Sequence, residues 1–488
     1  MAIRLPRPLL RGARGVVACG HPLAASVGIG AFRDGGGAVD AALAAAAALT
    51  VLMPEACGLG GDAFMLVRSP AGEVTAINGS GAAGSGVQPG DSVAVPGFVA
   101  AIDEAHERLG RLPRERLVEP AVSLAGGGFP IGGALLRAIG DHREQLARGA
   151  PGSVWLHPGL RPGSMVRQPA LAGLMQRIGR LGRRAFYDGP VAAAIERAVG
   201  GSITAADLAA HTTVVRSPVS GSYRGLELTV QPPSSQALLA LIALAALDRS
   251  GAAEPADRAH VSVEAIEAAF EHKHDIAADG AENRLLGLRL ELDAQGAARR
   301  GGPTGGLHTT SVTTADSDGT VVSMLISVFA LFGSGVLVPE GGFLLNNRLA
   351  GCSTHPSSPD YPVAGRRPVH TLSPSLVSDG DRTFALATPG ADGQVQTLVQ
   401  VIDAIATDGD RIPVALDRPR WRSSDAQLLI EDDYDADVTA ELERRGHELV
   451  RLPAGASTFG AAAVAGVDGA GTPFAASDGR GGAWAAAC

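Results

Sequence analysis

The sequence predicts an α+β protein, a sandwich of two β-sheets held between helical layers. Two observations point there. Strand-like segments gather towards the two ends of the chain, at Gly15–Cys19 and Phe64–Val67 and again after residue 309, whereas residues from about 90 to 280 read mostly as helix. Sheets with apolar faces need covering layers, and the helical stretch supplies them. Composition agrees: 65 Gly and 4% aromatic residues favour tight turns and close-packed small side chains, while 45% hydrophobic and 19% charged residues suit a 488-residue chain with a large interior.

In chain order, the strand Gly15-Val16-Val17-Ala18-Cys19 ends in a turn at Gly20-His21-Pro22. A helix follows Gly35-Gly36-Gly37, with Asp40 in its first turn, where a carboxylate meets the positive helix end. Its apolar run, 38–53, contains Asp40 and is too short to span a bilayer. Gly58-Leu59-Gly60-Gly61-Asp62 leads into the next strand, and Pro96-Gly97, Gly126-Gly127-Gly128 and Pro232-Pro233-Ser234-Ser235 punctuate the helical region. Residues 281–306 are the most polar, Gly- and Arg-rich stretch, expected as an exposed approach to Thr309. Beyond it strands are expected at Val321–Ile326, Val336–Val338, Phe343–Leu345, Leu376–Val377 and Phe384–Ala387, with helix returning at Gln396–Ile405.

Several function classes are disfavoured. A net charge of -9 argues against nucleic acid and anionic membranes as partners. Cys19, Cys57, Cys352 and Cys488 show neither metal-ligand nor CxxC spacing, and the first fifteen residues lack a sustained apolar run, so a cytoplasmic protein is expected. Cys19 and Cys57 read as small buried hydrophobes. His272-Lys273-His274-Asp275 has the composition of a metal cluster, but alternate residues of a helix face different ways, and a solvated helix face is expected. Gly58-x-Gly-Gly lacks the Lys-Ser/Thr of a phosphate loop.

The chemistry concentrates at Leu307-His308-Thr309-Thr310-Ser311-Val312-Thr313-Thr314-Ala315-Asp316. Alone, this is an ordinary β-branched strand running into a turn at Ser317-Asp318-Gly319. A threonine hydroxyl becomes a useful nucleophile only when a base takes its proton, and cleavage before Thr309 would place a free α-amine beside that hydroxyl. One residue would then carry both nucleophile and base.

What surrounds Thr309 favours that second reading. His21-Pro22-Leu23-Ala24, Gly37-Ala38-Val39-Asp40-Ala41-Ala42, Gly58-Leu59-Gly60-Gly61, Val95-Pro96-Gly97, Phe186-Tyr187-Asp188-Gly189, Pro232-Pro233-Ser234-Ser235, Thr309-Thr310, Phe332-Gly333-Ser334-Gly335, Leu344-Leu345-Asn346-Asn347, Ser373-Pro374 and Pro389-Gly390 occur in this order. Over almost the whole chain this order resembles the γ-glutamyltransferase family of N-terminal-nucleophile hydrolases. The resemblance implies a four-layer αββα fold, made as a precursor and cut into residues 1–308 and 309–488, which stay associated as one globule. It implies a small-molecule substrate, no metal or organic cofactor, and a homodimer as one possible assembly. Thr309 would be the nucleophile, Ser327 the second hydroxyl that orients it, and the backbone of Gly390-Ala391 the oxyanion donor. Asn347, after the Leu-Asn-Asn start, would lie at the substrate.

The departures from that family decide the expected substrate. Where γ-glutamyl enzymes carry an Arg for the substrate α-carboxylate, this chain has Ser80, in Asn78-Gly79-Ser80-Gly81. The position of the Asp that holds the α-amino group is Gly351, a strand Asn is replaced by Phe329, and a serine pair by His370-Thr371. Losing a bidentate Arg to carboxylate removes a strong charge-assisted contact. Both poles of amino-acid recognition are gone, so glutathione is not the expected substrate. The variants resemble a side branch that includes oxamate amidohydrolase, with Arg348 and His370 placed to receive a small carboxylate. Other readings stay open at this point: a γ-glutamyl hydrolase or transferase, a C–C bond hydrolase removing an oxalyl unit in secondary metabolism, and an unprocessed, non-catalytic homologue.

Overall fold

The described residues of the computed structural model, 7–300, 308–409 and 411–488, form two seven-stranded sheets stacked between helices. Residues 301–307, in the polar approach to Thr309, lie outside them. The first sheet runs Trp484–Ala487, Gly15–Cys19, Thr310–Asp316, Val321–Ser327, Asp62–Arg68, Val74–Asn78, Val214–Arg216. The second runs Leu10–Arg11, Pro473–Ser477, Ala463–Val467, Thr383–Ala387, Ser375–Ser378, Leu226–Val230, Val219–Tyr223. Neighbouring strands pair antiparallel throughout both.

Strand alternation sorts the side chains into layers. Val16, Ala18, Leu66, Ala315, Ala385 and Ala465 meet between the sheets, where small residues predominate. Their strand neighbours Val17, Cys19, Met65, Val312 and Met324 face the other way, onto the helices Pro22–Arg33 and Ala38–Leu52. Behind the second sheet, Leu228, Val230 and Phe384 pack on the helices Leu238–Ser250, Pro255–Phe270 and Gly393–Asp408. The four-layer αββα sandwich expected from the sequence is the observed architecture. Cys19 and Cys57 are buried as expected, and burial pushes the Cys19 thiol up to about 12. No described helix is long and apolar enough to cross a membrane.

The Ala38–Leu52 helix lies wholly inside, and two carboxylates fix its start. Asp40 accepts hydrogen bonds from the backbone N–H groups of Gly37 (2.9 Å), Arg111 (3.0 Å) and Leu112 (3.1 Å). Asp316, at the end of the strand that begins at Thr310, accepts from Ala38 N–H at 2.8 Å. Helix and strand are thereby tied at the end of the strand remote from Thr309.

One expectation gains detail and one needs correction. The region from about 90 to 280 is mostly helical, as expected, and also holds short strands, among them Val214–Arg216, Val219–Tyr223 and Leu226–Val230; the apolar–polar alternation of Leu226-Glu227-Leu228-Thr229-Val230 suits their pleat. His272-Lys273-His274-Asp275 is not a solvated helix face. The helix ends at Phe270 and the chain turns inward, so that Lys273 and His274 pair with the buried carboxylates of Asp392 and Asp360.

Asp40→Ala would strip three backbone donors of their acceptor in the interior. It is expected to lower stability by about 3 kcal/mol, read as a reduced urea midpoint with unchanged slope.

Candidate active site

Thr309 stands immediately before an interior strand of the first sheet, Thr310–Asp316, and is 5% exposed. Ala315 of this strand points between the sheets, so the alternation sends Ser311, Thr313 and Thr309 to the same side. Ser327 ends the neighbouring strand, one register step beyond the Thr310–Ile326 pair. The Thr309 hydroxyl lies 2.8 Å from the His308 carbonyl oxygen and 3.3 Å from Ser327 Oγ. Ser327 Oγ accepts the Phe329 N–H at 2.9 Å and lies 3.2 Å from the same His308 carbonyl. The chain is continuous here, so two hydroxyls converge on the peptide carbonyl that processing would cleave. The His308 imidazole is held neutral: burial first, then His142 and Arg422, lower its pKa to about 4.

The second sheet supplies the opposite wall. After the Thr383–Ala387 strand the backbone turns at Gly390 (φ 132°) and Ala391 (φ 48°), then enters the Gly393–Asp408 helix. A left-handed Ala391 is uncommon for a residue with a Cβ. Among the described residues, no hydrogen-bond acceptor takes the Gly390 or Ala391 N–H. Gln394, in the first turn of that helix, donates from Nε2 to Thr309 Oγ1 at 3.4 Å. Gln236 holds the turn from behind, donating to the Ala391 carbonyl at 3.0 Å and the Thr371 carbonyl at 3.3 Å.

Asp62 is the Cα partner of Ser327 on the next strand. Its Oδ2 accepts from His370 Nε2 at 3.0 Å, and Arg348 Nε stands 3.7 Å away. His370 Nδ1 accepts the Leu372 N–H at 3.1 Å, which puts the ring proton on Nε2. Burial, and then the Arg348 charge, lower the His370 pKa to about 4. Arg348 is 1% exposed, stacks 4.3 Å above the Phe329 ring and donates from Nη1 to Thr371 Oγ1 at 3.2 Å. Its Nε and Nη2, and Asp62 Oδ1, are buried with no hydrogen-bond partner among the described residues. Burial is the main reason the guanidinium pKa falls to about 10.

The structure therefore gathers Thr309, Ser327, Arg348, His370, Thr371 and the Gly390-Ala391 turn into one network. The two remaining sequence candidates make local contacts. Ser80 is fully buried and gives its hydroxyl to Asn78 Oδ1 at 2.7 Å, and Asn347 accepts the Ala330 N–H at 2.9 Å. Phe329 presses on Gly351, where an added Cβ would come within 2.8 Å of the ring. Asp62, Gln236 and Gln394 were not singled out as site residues, because their proximity to Thr309 comes from strand register and from packing between the sheets. A second cluster, His260, Glu264 and His447, has ligand atoms within 4.8 Å of one another. It is satisfied internally: the two rings hydrogen-bond at 2.8 Å and Glu264 pairs with Arg300.

His211 and His370 are both buried, and both have pKa values lowered to about 4. Unfolding returns them to the ordinary value near 6.5, so the unfolded chain binds more protons below that pH. Their contribution to stability is complete above about pH 6.5 and is lost as pH falls towards 4. The urea midpoint is expected to drop over that window, and His370→Gln to reduce the slope by up to about 1.4 kcal/mol per pH unit.

Comparison with known proteins accords with this geometry. A sequence profile described as Gamma-glutamyltranspeptidase matches residues 24–488. The oxamate amidohydrolase proenzyme of Klebsiella pneumoniae subsp. pneumoniae is 33% identical, over 89% of this chain and 91% of that protein. The glutathione hydrolase proenzyme of Bacillus subtilis is 29% identical, over 91% of this chain and 86% of that one. Among solved structures, cephalosporin acylase from Bacillus halodurans superposes with a TM-score of 0.89 at 27% identity, covering 100% of this chain and 98% of that one. From its first helix to its C-terminal strand, the chain belongs to the gamma-glutamyltranspeptidase family.

Proposed function

We propose that this protein is a self-processing N-terminal-threonine amidohydrolase whose substrate is a short amide bearing a carboxylate on its acyl side, of which oxamate is the simplest. The observation that carries the reading is the buried Arg348 guanidinium, whose Nε and Nη2 have no hydrogen-bond partner among the described residues. Buried donors are nearly always satisfied, so an orphaned pair of this kind calls for a bound acceptor. Two N–H groups of one guanidinium suit a carboxylate. The orphaned Asp62 Oδ1 beside them suits an amide N–H. An acceptor group next to a donor group is the pattern of a carboxylate attached to a primary amide. The resemblance to an oxamate amidohydrolase over nearly the full chain supports the same substrate class.

In maturation, Thr309 Oγ attacks the His308 carbonyl carbon and the His308–Thr309 amide becomes an ester. Ser327 Oγ, 3.2 Å from the carbonyl oxygen, donates to it as charge develops there. Water then hydrolyses the ester, leaving a His308 carboxylate and a free Thr309 amine. In turnover that amine takes the Oγ proton and Oγ attacks the substrate amide carbon. The Gly390 and Ala391 N–H groups stabilise the oxyanion, ammonia leaves with the proton, and water releases the acyl group as the second carboxylate of the product.

A γ-glutamyl group fits poorly. The space beside Gly351 is filled by Phe329, and an α-ammonium directed at Asp62 would lie close to the Arg348 cation.

Wild-type protein is expected to appear as two masses meeting between His308 and Thr309, and Thr309→Ala as one uncut chain. Processed enzyme should release oxalate and ammonia from oxamate while γ-glutamyl-p-nitroanilide stays essentially intact; the reverse preference would overturn the substrate class. Arg348→Met, which forfeits a charge-assisted pair of about 1.5–3 kcal/mol, should raise KM for oxamate roughly 10- to 100-fold while leaving self-cleavage complete.

A further inference from the structure

The turn at His272–Asp275 reaches the catalytic centre from the fragment that does not carry Thr309. Lys273 Nζ donates to both carboxylate oxygens of Asp392, at 2.9 Å each. Asp392 is 1% exposed and is the residue immediately after Ala391, so its charge lies one peptide from the oxyanion donors. The adjacent His274 Nδ1 bonds the buried Asp360 at 2.7 Å, and Asp360 holds the Val369 N–H at 2.8 Å, directly before His370 and Thr371. Two successive residues of one turn thus fasten the oxyanion turn and the segment leading to the substrate-binding residues. Arg422 also faces this turn, since a Cβ on Gly393 would come within 2.7 Å of its Nη1, and the Asp392 charge acts on both Arg422 and Arg348.

We infer that Lys273 is a positioning residue for the oxyanion hole, acting through Asp392 in two ways. The bidentate contact sets the position of the turn whose Ala391 is held in a left-handed conformation. It also neutralises a buried carboxylate that would oppose the negative charge forming on the substrate oxygen, since like charges at close range in a poorly solvated site repel strongly. Lys273 lies in 1–308 and Asp392 in 309–488, so association of the fragments becomes a condition of turnover as well as of stability. The inference rests on the assignment of the Gly390 and Ala391 amides as oxyanion donors. It does not depend on which amide is the substrate.

Self-cleavage and turnover separate this role from a purely structural one. The His308 carbonyl attacked in maturation is met by Ser327 Oγ and Thr309 Oγ, so maturation has no need of the Lys273 contact. Lys273→Met is expected to cleave itself fully by intact mass, yet to lose about 10- to 100-fold in kcat with KM within about threefold, because the N–H groups it positions act on charge that develops only in the transition state. Lys273→Arg should recover most of the rate. Adding Asp392→Asn to Lys273→Met should restore part of it, since the carboxylate that Lys273 had neutralised is then removed. Acetylation of Thr309 by p-nitrophenyl acetate, read as a mass increment, provides a second assay beside ammonia release from oxamate. If the wild type reacts with the ester but not with oxamate, the proposed substrate fails and the positioning role is judged on acetylation rates. Equal loss of cleavage and turnover in Lys273→Met, a KM effect alone, no effect, or further loss in the double variant would overturn the inference. So would a self-cleaved wild type inert towards both compounds.

Discussion

The site depends on the strand that follows Thr309 being paired along both edges, to Gly15–Cys19 on one side and Val321–Ser327 on the other. An edge strand can slip or fray; a central one cannot move by a single residue without turning Val312 towards the wrong layer and losing two ladders. Thr309 is therefore held to one face, the face between the sheets. Because the next two strands are locked in the same register, Ser327 and Asp62 fall in a row beside it, spaced by the separation of adjacent strands, about 4.8 Å. Thr309, Ser327 and Asp62 share this one constraint.

The second sheet must come close enough to bring its own residues to that row, and the small side chains between the sheets allow it. Ala18, Ala315, Ala385, Ala463, Ala465 and Ala475 occupy positions where larger residues would force the layers apart. A Ser375 N–H to Ser323 Oγ hydrogen bond of 3.2 Å bridges the layers directly. His370 and Thr371 precede the Ser375–Ser378 strand, and Gly390 and Ala391 follow the Thr383–Ala387 strand, so the same end of the second sheet delivers the proposed substrate and oxyanion groups together. The alanine-rich composition and the catalytic geometry are in this sense one feature.

Features governed by local chemistry were legible in the sequence. The acidic first turn of the Ala38–Leu52 helix, the strands flanking Ser317-Asp318-Gly319 and the layered α+β architecture follow from spacing and residue type. The shared face of Thr309 and Ser327 follows from alternation once the hairpin is drawn. Groups brought together by distant segments were not legible. Lys273 meets Asp392 across 119 residues and His274 meets Asp360 across 86, and no periodicity links them. A short polar run such as His-Lys-His-Asp resembles a solvated surface because its partners, single carboxylates in loops, carry no signature of their own. Ser80 shows the converse: its place in the chain suggested substrate, and a hydrogen bond to Asn78, two residues away, accounts for it instead.

The altered substrate groove is better understood as a replacement than as a loss. A ring at 329 and an absent side chain at 351 are mutually required, since any Cβ at 351 would strike that ring. The same ring carries the Arg348 guanidinium on its face, a favourable placement for a cation away from water. Arg348 in turn stands over Asp62, which orients His370 in the tautomer that leaves Nδ1 to the backbone. Each change makes the next one tenable, and together they set a positive pole beside the nucleophile strand with its remaining donors open. A substrate carrying an ammonium at that place would meet a buried arginine, whereas one carrying a carboxylate would complete the hydrogen bonds the protein leaves unmade. On the proposed reading, the Arg348 nitrogens without a hydrogen-bond partner among the described residues are what would select an anionic acyl group.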